Sequence, residues 1–235
     1  MPRARTRTYD DWQTAADPEE SGCLSFYILP PLSVLLIACL LTAFAFNIPA
    51  TPVVASAPNV VVAVTAPATS ALSPIFTKEI QYWGNDIVRW ASASSLDPNL
   101  VAVVMQIESC GDPRATSRAG AMGLFQVMPF HFHFGENPYN PETNALRGLN
   151  YLSRSLSTAN GNPRLALAGY NGGIGVISRS EWSWAAETKR YVYYGAPIYE
   201  DAQSGKTSSA MLHEWYQKYG TGLCRQASER LGLIP

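Results

Sequence analysis

Apolar and polar residues follow three different patterns along the chain. Residues 24–47 carry no charged side chain and are mostly apolar, whereas residues 48–74 are uncharged but repeat Pro, Ala, Thr, Ser and Val. From residue 75 onward the apolar positions recur at helical intervals, as for Ile80 and Ile87, and strand signals are sparse. The pattern predicts a membrane-length segment, a linker and a mainly α-helical domain over residues 75–235.

The apolar segment 24–47 is long enough to span a membrane as a helix. At ~1.5 Å per residue, a helix of this length crosses a hydrocarbon core of roughly 30 Å. Arg3, Arg5 and Arg7 precede the segment, and the positive-inside rule leaves such a basic flank in the cytoplasm. We therefore predict a cytoplasmic tail at residues 1–23, a single transmembrane anchor, and a C-terminal domain outside the cytoplasm.

Two other interpretations of this segment stay open. Pro30 and Pro31 shorten the uninterrupted apolar run, and residues 43–45 resemble a signal-peptidase site, so a cleaved signal peptide also fits. Residues 36–39 resemble a lipoprotein processing box, although more apolar residues follow its cysteine. We favour the anchor, and all three interpretations export the domain that follows.

Residues 48–74 are predicted to form a flexible linker, because they lack the two-sided apolar pattern of a packed helix or strand. Their prolines stiffen the backbone locally. In a polyproline conformation, at ~3.1 Å per residue, the linker would hold the domain well away from a membrane. The run Val60–Val64 has the alternative of pairing with the domain as a strand.

Charge and cysteine usage argue against several classes of partner. The 235 residues include 17 Lys and Arg against 18 Asp and Glu, a net charge of −1, so no basic surface for nucleic acid is indicated. The four cysteines lack zinc-type spacing, and no further ligand completes a metal site with His131 and His133. We expect a monomer with no nucleic-acid partner, no metal and no cofactor.

A carboxylate stands at the end of a predicted apolar helix. Asp97 and Pro98 form a helix-start signal, and Gly111 and Pro113 end the helix just after Glu108. Apolar neighbours and the negative end of the helix dipole both disfavour a charged carboxylate, so we expect a raised pKa, as a general acid requires. A glutamate near a helix end is also commonly a solvated surface residue, so this position alone establishes no function.

Four short motifs follow one another at domain-like spacing. They are Glu108-Ser109, Gly123-Leu124-Phe125-Gln126 with Met128-Pro129, Tyr170-Asn171 before two glycines, and Glu187-Thr188 with Tyr191-Val192. Together these motifs resemble the family 1 lytic transglycosylases, over about residues 96–199. The resemblance implies a lysozyme-like, two-lobed helical domain with a central substrate groove.

The resemblance also implies a reaction and a set of site residues. Glu108 would be the only catalytic acid and base, cleaving the β-1,4 bond from N-acetylmuramic acid to N-acetylglucosamine in peptidoglycan and leaving 1,6-anhydro ends. No second acid stands out near Glu108, since Gly111 and Pro113 break the helix before Asp112. The motif positions assigned to substrate binding are Ser117, Gln126, Met128, Tyr170, Asn171, Glu187 and Tyr191.

Each binding residue also has a structural interpretation: a tyrosine can bury its ring with a satisfied hydroxyl, and Glu187 can pair with Lys189 or Arg190. The chain departs from the family pattern at Cys110, and in an exported domain Cys110 and Cys224 are candidates for a disulfide.

A second departure is the aromatic run Phe130–Phe134, which replaces the usual small residues after Met-Pro. Its interpretations are a wall on which sugars stack and a loop that packs on itself.

Two competing functions remain. A lysozyme-type muramidase would deliver water to the same bond, and a non-catalytic wall-binding protein would keep the groove without turnover. In every case the expected partners are peptidoglycan strands, and the membrane through the N-terminal segment.

Overall fold

The computed structural model describes residues 72–234, and their regular secondary structure is helical. The α-helices are α1 Lys78–Tyr82, α2 Gly84–Ala93, α3 Pro98–Glu108, α4 Pro141–Thr158, α5 Pro163–Gly172, α6 Ala186–Gln203, α7 Ala210–Trp215 and α8 Thr221–Leu231. Short 3-10 turns occupy Pro129–His131, Ile174–Val176 and Glu181–Ser183, and a π turn occupies Tyr216–Gly220. Within this range only isolated bridges, Thr116 to Met122 and Met122 to Val127, have β character. The prediction of a mainly α-helical domain is confirmed.

Three helices begin where side-chain capping predicts. The carboxylate of Asp97 accepts hydrogen bonds from the first turn of α3, and the side chains of Asn140 and Asn162 do the same for α4 and α5. A proline occupies the first position of each of these helices, where no backbone donor is needed. These starts therefore depend on local chemistry.

Helix α3 forms the centre of the core. Every residue from Pro98 to Gln106 is buried, so the helix has no solvent face along most of its length. It packs against α2 and α6, while α5 packs against both α4 and α6. A helix that is buried all round has little freedom to shift, so its last residue, Glu108, occupies a fixed position.

The C-terminal helices fold back onto the end of α3. A disulfide joins Cys224 of α8 to Cys110, with a Cα–Cα distance of 5.0 Å. Beside it, the fully buried carboxylate of Asp112 accepts hydrogen bonds from Arg230 at 2.7 and 2.9 Å and from Gln226 at 2.7 Å. The chain just beyond Glu108 is therefore held by α8 through a covalent bond and an ion pair.

The sequence pattern was less informative about this C-terminal region. The apolar spacing over residues 211–219 is that of one short amphipathic helix, whereas the structure ends α7 at Trp215 and continues through the π turn into α8. Another difference is Leu146 of α4, which shares the apolar periodicity of its helix but is 52% exposed.

The N-terminal predictions fall largely outside the structure. The tail 1–23, the apolar segment 24–47 and nearly all of the linker 48–74 precede the described residues and stay predictions. Among residues 72–234, no helix combines the length and the apolar character needed to cross a membrane.

The disulfide is expected to stabilise the fold substantially. It links residues 114 positions apart, and a cross-link over such a span restricts the unfolded chain strongly. Replacing both cysteines, Cys110→Ser with Cys224→Ser, should lower the free energy of unfolding by about 2–5 kcal/mol in chemical denaturation. Reductant should lower the unfolding midpoint of the wild type and leave the double variant unchanged. Equal midpoints for the two oxidised proteins would contradict this expectation.

Candidate active site

Glu108 lies where two neighbouring cavities meet. The larger cavity has a volume of about 400 Å³ and the smaller about 190 Å³. Glu108, Asn171 and Glu187 line both of them. A polymer lying through both cavities would therefore pass over the Glu108 carboxyl.

The surroundings of Glu108 favour its protonated form. Burial raises the pKa of its carboxyl to about 8, the nearby negative charge of Glu187 adds to the rise, and hydrogen bonding from Tyr191 opposes it. The residue is not fully enclosed, because part of its surface opens into the cavities. A carboxyl with this pKa still holds its proton at neutral pH, and it can therefore donate a proton to a bound molecule.

Tyr191 approaches Glu108 from α6. Its ring is buried, and the proximity of the Glu108 carboxyl contributes to raising the pKa of the Tyr191 hydroxyl, after burial itself. The two groups are close enough to affect each other, yet their atoms do not reach the geometry of a regular hydrogen bond, and no other described residue pairs with the hydroxyl. The Tyr191 hydroxyl can thus reorient toward the Glu108 carboxyl when that carboxyl loses its proton.

Glu187 corrects one expectation from the sequence. The spacing of acids along the chain indicated no second carboxylate beside Glu108, but the first turn of α6 brings Glu187 to the same two cavities. The nearest acid in sequence, Asp112, is instead buried in its ion pair with Arg230. Residues distant in sequence become neighbours here because α6 packs against α3.

Ser109 fixes the end of α3 to the loop that follows it in the site. Its hydroxyl donates to the carbonyl of Leu124 at 2.6 Å and accepts from the backbone N–H of Gly111 at 3.1 Å. Both contacts are buried, so they are insulated from competing water. Ser109 therefore positions Glu108 relative to the loop.

The loop around Gly123 is held by Asn144 of α4. The Asn144 side chain accepts from the backbone N–H of Phe125 and donates to the carbonyls of Met122 and Pro138, each at 2.8 Å. Gly123 has a φ of +74°, and a Cβ there would lie only 2.4 Å from the Asn144 amide nitrogen. Glycine is therefore required at this position by both backbone conformation and space.

Gln126 projects from this loop into the larger cavity. Its amide nitrogen donates to the carbonyls of Gly123 at 3.0 Å and Ala115 at 3.3 Å, and its backbone has a φ of +47°. Because both amide hydrogens are used, the side chain has only its oxygen to offer a ligand, as an acceptor.

Ser117 and Met128 line the same cavity. The Ser117 oxygen accepts from the backbone N–H of Ala121 at 3.0 Å, which leaves its hydroxyl hydrogen available as a donor. Met128 contributes an apolar surface. This wall thus offers one acceptor, one donor and an apolar patch.

Tyr170 and Asn171 form the facing wall, at the end of α5. The Tyr170 hydroxyl donates to the carbonyl of Phe125 at 2.7 Å, and the Asn171 side-chain oxygen accepts from Thr188 at 2.9 Å. Burial, and the nearby Glu108 second, raise the pKa of Tyr170 well above its ordinary value. The Asn171 amide keeps its hydrogens for a ligand, and the Tyr170 ring stays uncharged.

All eight site residues expected from the motifs therefore lie in this region. Tyr191 lines the smaller cavity, and the others line the larger one. Several cavity residues were missed as site residues by sequence reasoning: Gly148 and Tyr151 of α4, and Trp215 and Tyr219 near the C-terminus. Their spacing is that of ordinary helix positions, so the sequence carried no signal for them.

One cluster in the described range has metal-like geometry. Glu79, Cys110 and Cys224 bring potential ligand atoms within 4.8 Å of one another, but both sulfurs belong to the disulfide. Thiolates are needed for metal binding, so this cluster is not a metal site as long as the disulfide is intact.

Comparison with known proteins finds a matched domain that contains the eight expected site residues. Residues 86–192 match the family model of the transglycosylase SLT domain. A protein named transglycosylase from Enterobacteria phage PRD1 is 41% identical over 115 residues, which cover 48% of this chain and 40% of the phage protein.

A solved structure is also similar: an inactive mutant of the lytic transglycosylase Slt from Pseudomonas aeruginosa. It matches at 27% identity with a TM-score of 0.42, over 53% of this chain and 24% of that one. The chain thus spans less than half the length of either relative.

The buried carboxyl predicts a pH-dependent stability difference for Glu108→Gln. Unfolded, Glu108 loses its proton near the ordinary value of 4.5, but folded it keeps the proton up to a pKa of about 8. The stability of the wild type therefore falls as pH rises between these values, and glutamine removes this loss. The variant should unfold with a free energy higher by about 4 kcal/mol near pH 8 and nearly equal near pH 4.

Chemical denaturation at several pH values measures this difference. Glu200→Gln, at an exposed position of α6, is the matched control and should follow the wild type. Parallel pH profiles for wild type and Glu108→Gln would show that the carboxyl titrates normally.

Proposed function

We propose, from the match of residues 86–192 to the family model of the transglycosylase SLT domain, that the protein is a lytic transglycosylase acting on peptidoglycan. It would cleave the β-1,4 bond between N-acetylmuramic acid and N-acetylglucosamine and leave a 1,6-anhydro ring on the muramic acid. The observation that carries the proposal is the Glu108 carboxyl, with a pKa of about 8, at the meeting point of two cavities.

In the proposed first step, protonated Glu108 gives its proton to the oxygen of the glycosidic bond. The bond from the muramic C1 to that oxygen then breaks, and the N-acetylglucosamine part leaves as an alcohol. Burial keeps Glu108 protonated at neutral pH, which is the state that an acid catalyst needs at this point. Tyr191, whose hydroxyl faces the carboxyl, would stabilise the carboxylate that forms.

In the second step, the Glu108 carboxylate removes the proton from the 6-hydroxyl of the same muramic acid. The 6-oxygen attacks C1 and closes the anhydro ring, so one C–O bond replaces another and Glu108 recovers its proton. No water is consumed. The same high pKa that favours the acid form also makes the carboxylate a stronger base in this step.

The polar groups of the larger cavity suit an N-acetylated sugar. An acetamido group needs both a donor and an acceptor, and the cavity offers the Ser117 hydroxyl and Asn171 amide as donors with the Gln126 oxygen as acceptor. Tyr170 and Met128 would contact the apolar faces of the ring. We assign these residues, with Glu187 and Tyr191, to substrate binding.

The proposal also includes the location and state of the enzyme. It would be tethered to a membrane with its domain outside the cytoplasm, and it would act as a monomer. The Cys110–Cys224 disulfide supports export, because such bonds persist in oxidising compartments. A cleaved signal peptide would give the same location without the anchor.

Glu108→Gln tests the acid directly. The amide keeps the shape of the side chain but cannot supply the proton, so turnover of purified peptidoglycan should fall about 10²–10⁴-fold while glycan binding is retained. Mass spectrometry of the wild-type products should find 1,6-anhydromuramic ends. Reducing-end muramic acid would instead indicate a muramidase, and undiminished turnover by the variant would remove Glu108 from its role. Glu200→Gln should digest the wall normally.

Glu187→Gln separates the two enzyme classes by a pH profile. In a muramidase with two carboxylates Glu187 would activate water, and its loss should lower the rate about 10²–10⁴-fold at every pH. In a transglycosylase the chemistry should persist. Because the charge of Glu187 helps to raise the pKa of Glu108, the alkaline fall in rate near pH 8 should then move to lower pH. An unchanged alkaline limb would contradict the coupling between the two groups.

A further inference from the structure

The aromatic run after Met128-Pro129 forms an outer rim of the larger cavity. Phe130 and His131 both line that cavity, and Phe130 is 65% exposed. Phe132 instead turns inward and packs against the hydrophobic core, while Phe134 is fully exposed and does not line the cavity. One ring of the run is therefore anchored in the core, and two rings project outward.

Four rings make a continuous row from this rim to the centre of the site. The centroid of Phe130 lies 4.4 Å from that of His131, His131 lies 5.0 Å from Tyr151, and Tyr151 lies 5.8 Å from Tyr170. All four residues line the larger cavity. The row thus runs along the wall of the larger cavity from Tyr170, which lies near Glu108, to the exposed ring of Phe130.

The rim is held in place by an ion pair behind it. The Glu136 carboxylate accepts from the backbone N–H of His133 at 2.9 Å and from two nitrogens of Arg147 at 2.9 and 2.5 Å. Both side chains of the pair are largely shielded from solvent. Because this pair holds the backbone of the run before a ligand arrives, less conformational entropy is lost when one binds.

The row is also uncharged at neutral pH. Burial, together with the positive charge of Arg154, lowers the pKa of His131, so its ring stays neutral. A fixed, neutral, apolar row of rings inside a cavity matches the C–H faces of pyranose sugars, which present apolar surface, and would give no preference to a charged ligand.

We infer that Phe130, His131 and Tyr151 form a distal subsite that binds a further sugar residue of the glycan strand, so that the enzyme prefers long strands over short fragments. The inference rests on the proposed function for the identity of the strand. It predicts that Phe130 contributes to affinity only when the ligand is long enough to reach the rim.

The test measures binding of N-acetylglucosamine oligomers, from dimer to hexamer, by calorimetry in the Glu108→Gln background, where no turnover occurs. Adding Phe130→Ala should weaken hexamer binding about tenfold and leave dimer binding unchanged. Adding Phe134→Ala, an exposed phenylalanine of the same run outside the cavity, should leave both unchanged. Thermal unfolding of each variant checks that the fold is intact.

Three outcomes would overturn the subsite: equal loss for dimer and hexamer, no loss for either, or the same loss with Phe134→Ala. In each of these cases glycan binding itself persists, so the proposed function survives. Failure of the Glu108→Gln protein to bind any oligomer, together with failure of the wild type to digest peptidoglycan, would overturn both. In the active enzyme, where Glu108 is intact, Phe130→Ala alone should also raise the KM for intact strands and leave kcat unchanged.

Discussion

The site depends on one constraint, which is that the last residue of a fully buried helix is an acid. Helix α3 has no solvent face from Pro98 to Gln106, so its direction and depth are set by packing on several sides. Glu108 inherits that rigidity. Ser109 then ties the helix end to the loop carrying Gln126, and the disulfide at Cys110 ties it to α8. The acid is thus positioned by the core.

Burial of the Glu108 carboxyl lowers the stability of the fold at neutral pH, but it keeps the carboxyl protonated for proton transfer. Burying a carboxyl without a cationic partner disfavours its charged form, and here burial is the largest cause of the raised pKa. The Tyr191 hydroxyl beside it is also buried and lacks a regular partner in the described range. By contrast, Asp112 is buried but paired with Arg230. A carboxyl in a cleft whose pKa is strongly raised by burial is typical of functional sites.

The sequence predicted local features well and, apart from the Cys110–Cys224 pair, distant contacts poorly. Asp97, Asn140 and Asn162 mark helix starts because a cap needs only its own next turn. The motif residues could be assigned to one site only through their resemblance to a family. The approach of Glu187 to Glu108, and the row from Phe130 to Tyr151, depend on how helices pack, and residue spacing contains no information about that.

The matched domain does not contain the whole cleft. Trp215 and Tyr219, which lie beyond residue 192, line the smaller cavity together with Glu108, and the guanidinium of Arg190 lies 5.4 Å from the Tyr219 ring. This wall stays near the acid because α8, which follows directly, is bonded to Cys110. The residues that line the larger cavity all lie within the matched domain. The smaller cavity therefore combines residues of the matched domain with residues that follow it, whereas Glu108, Asn171 and Glu187 line both cavities, so substitutions at Trp215 or Tyr219 change the lining of the smaller cavity alone.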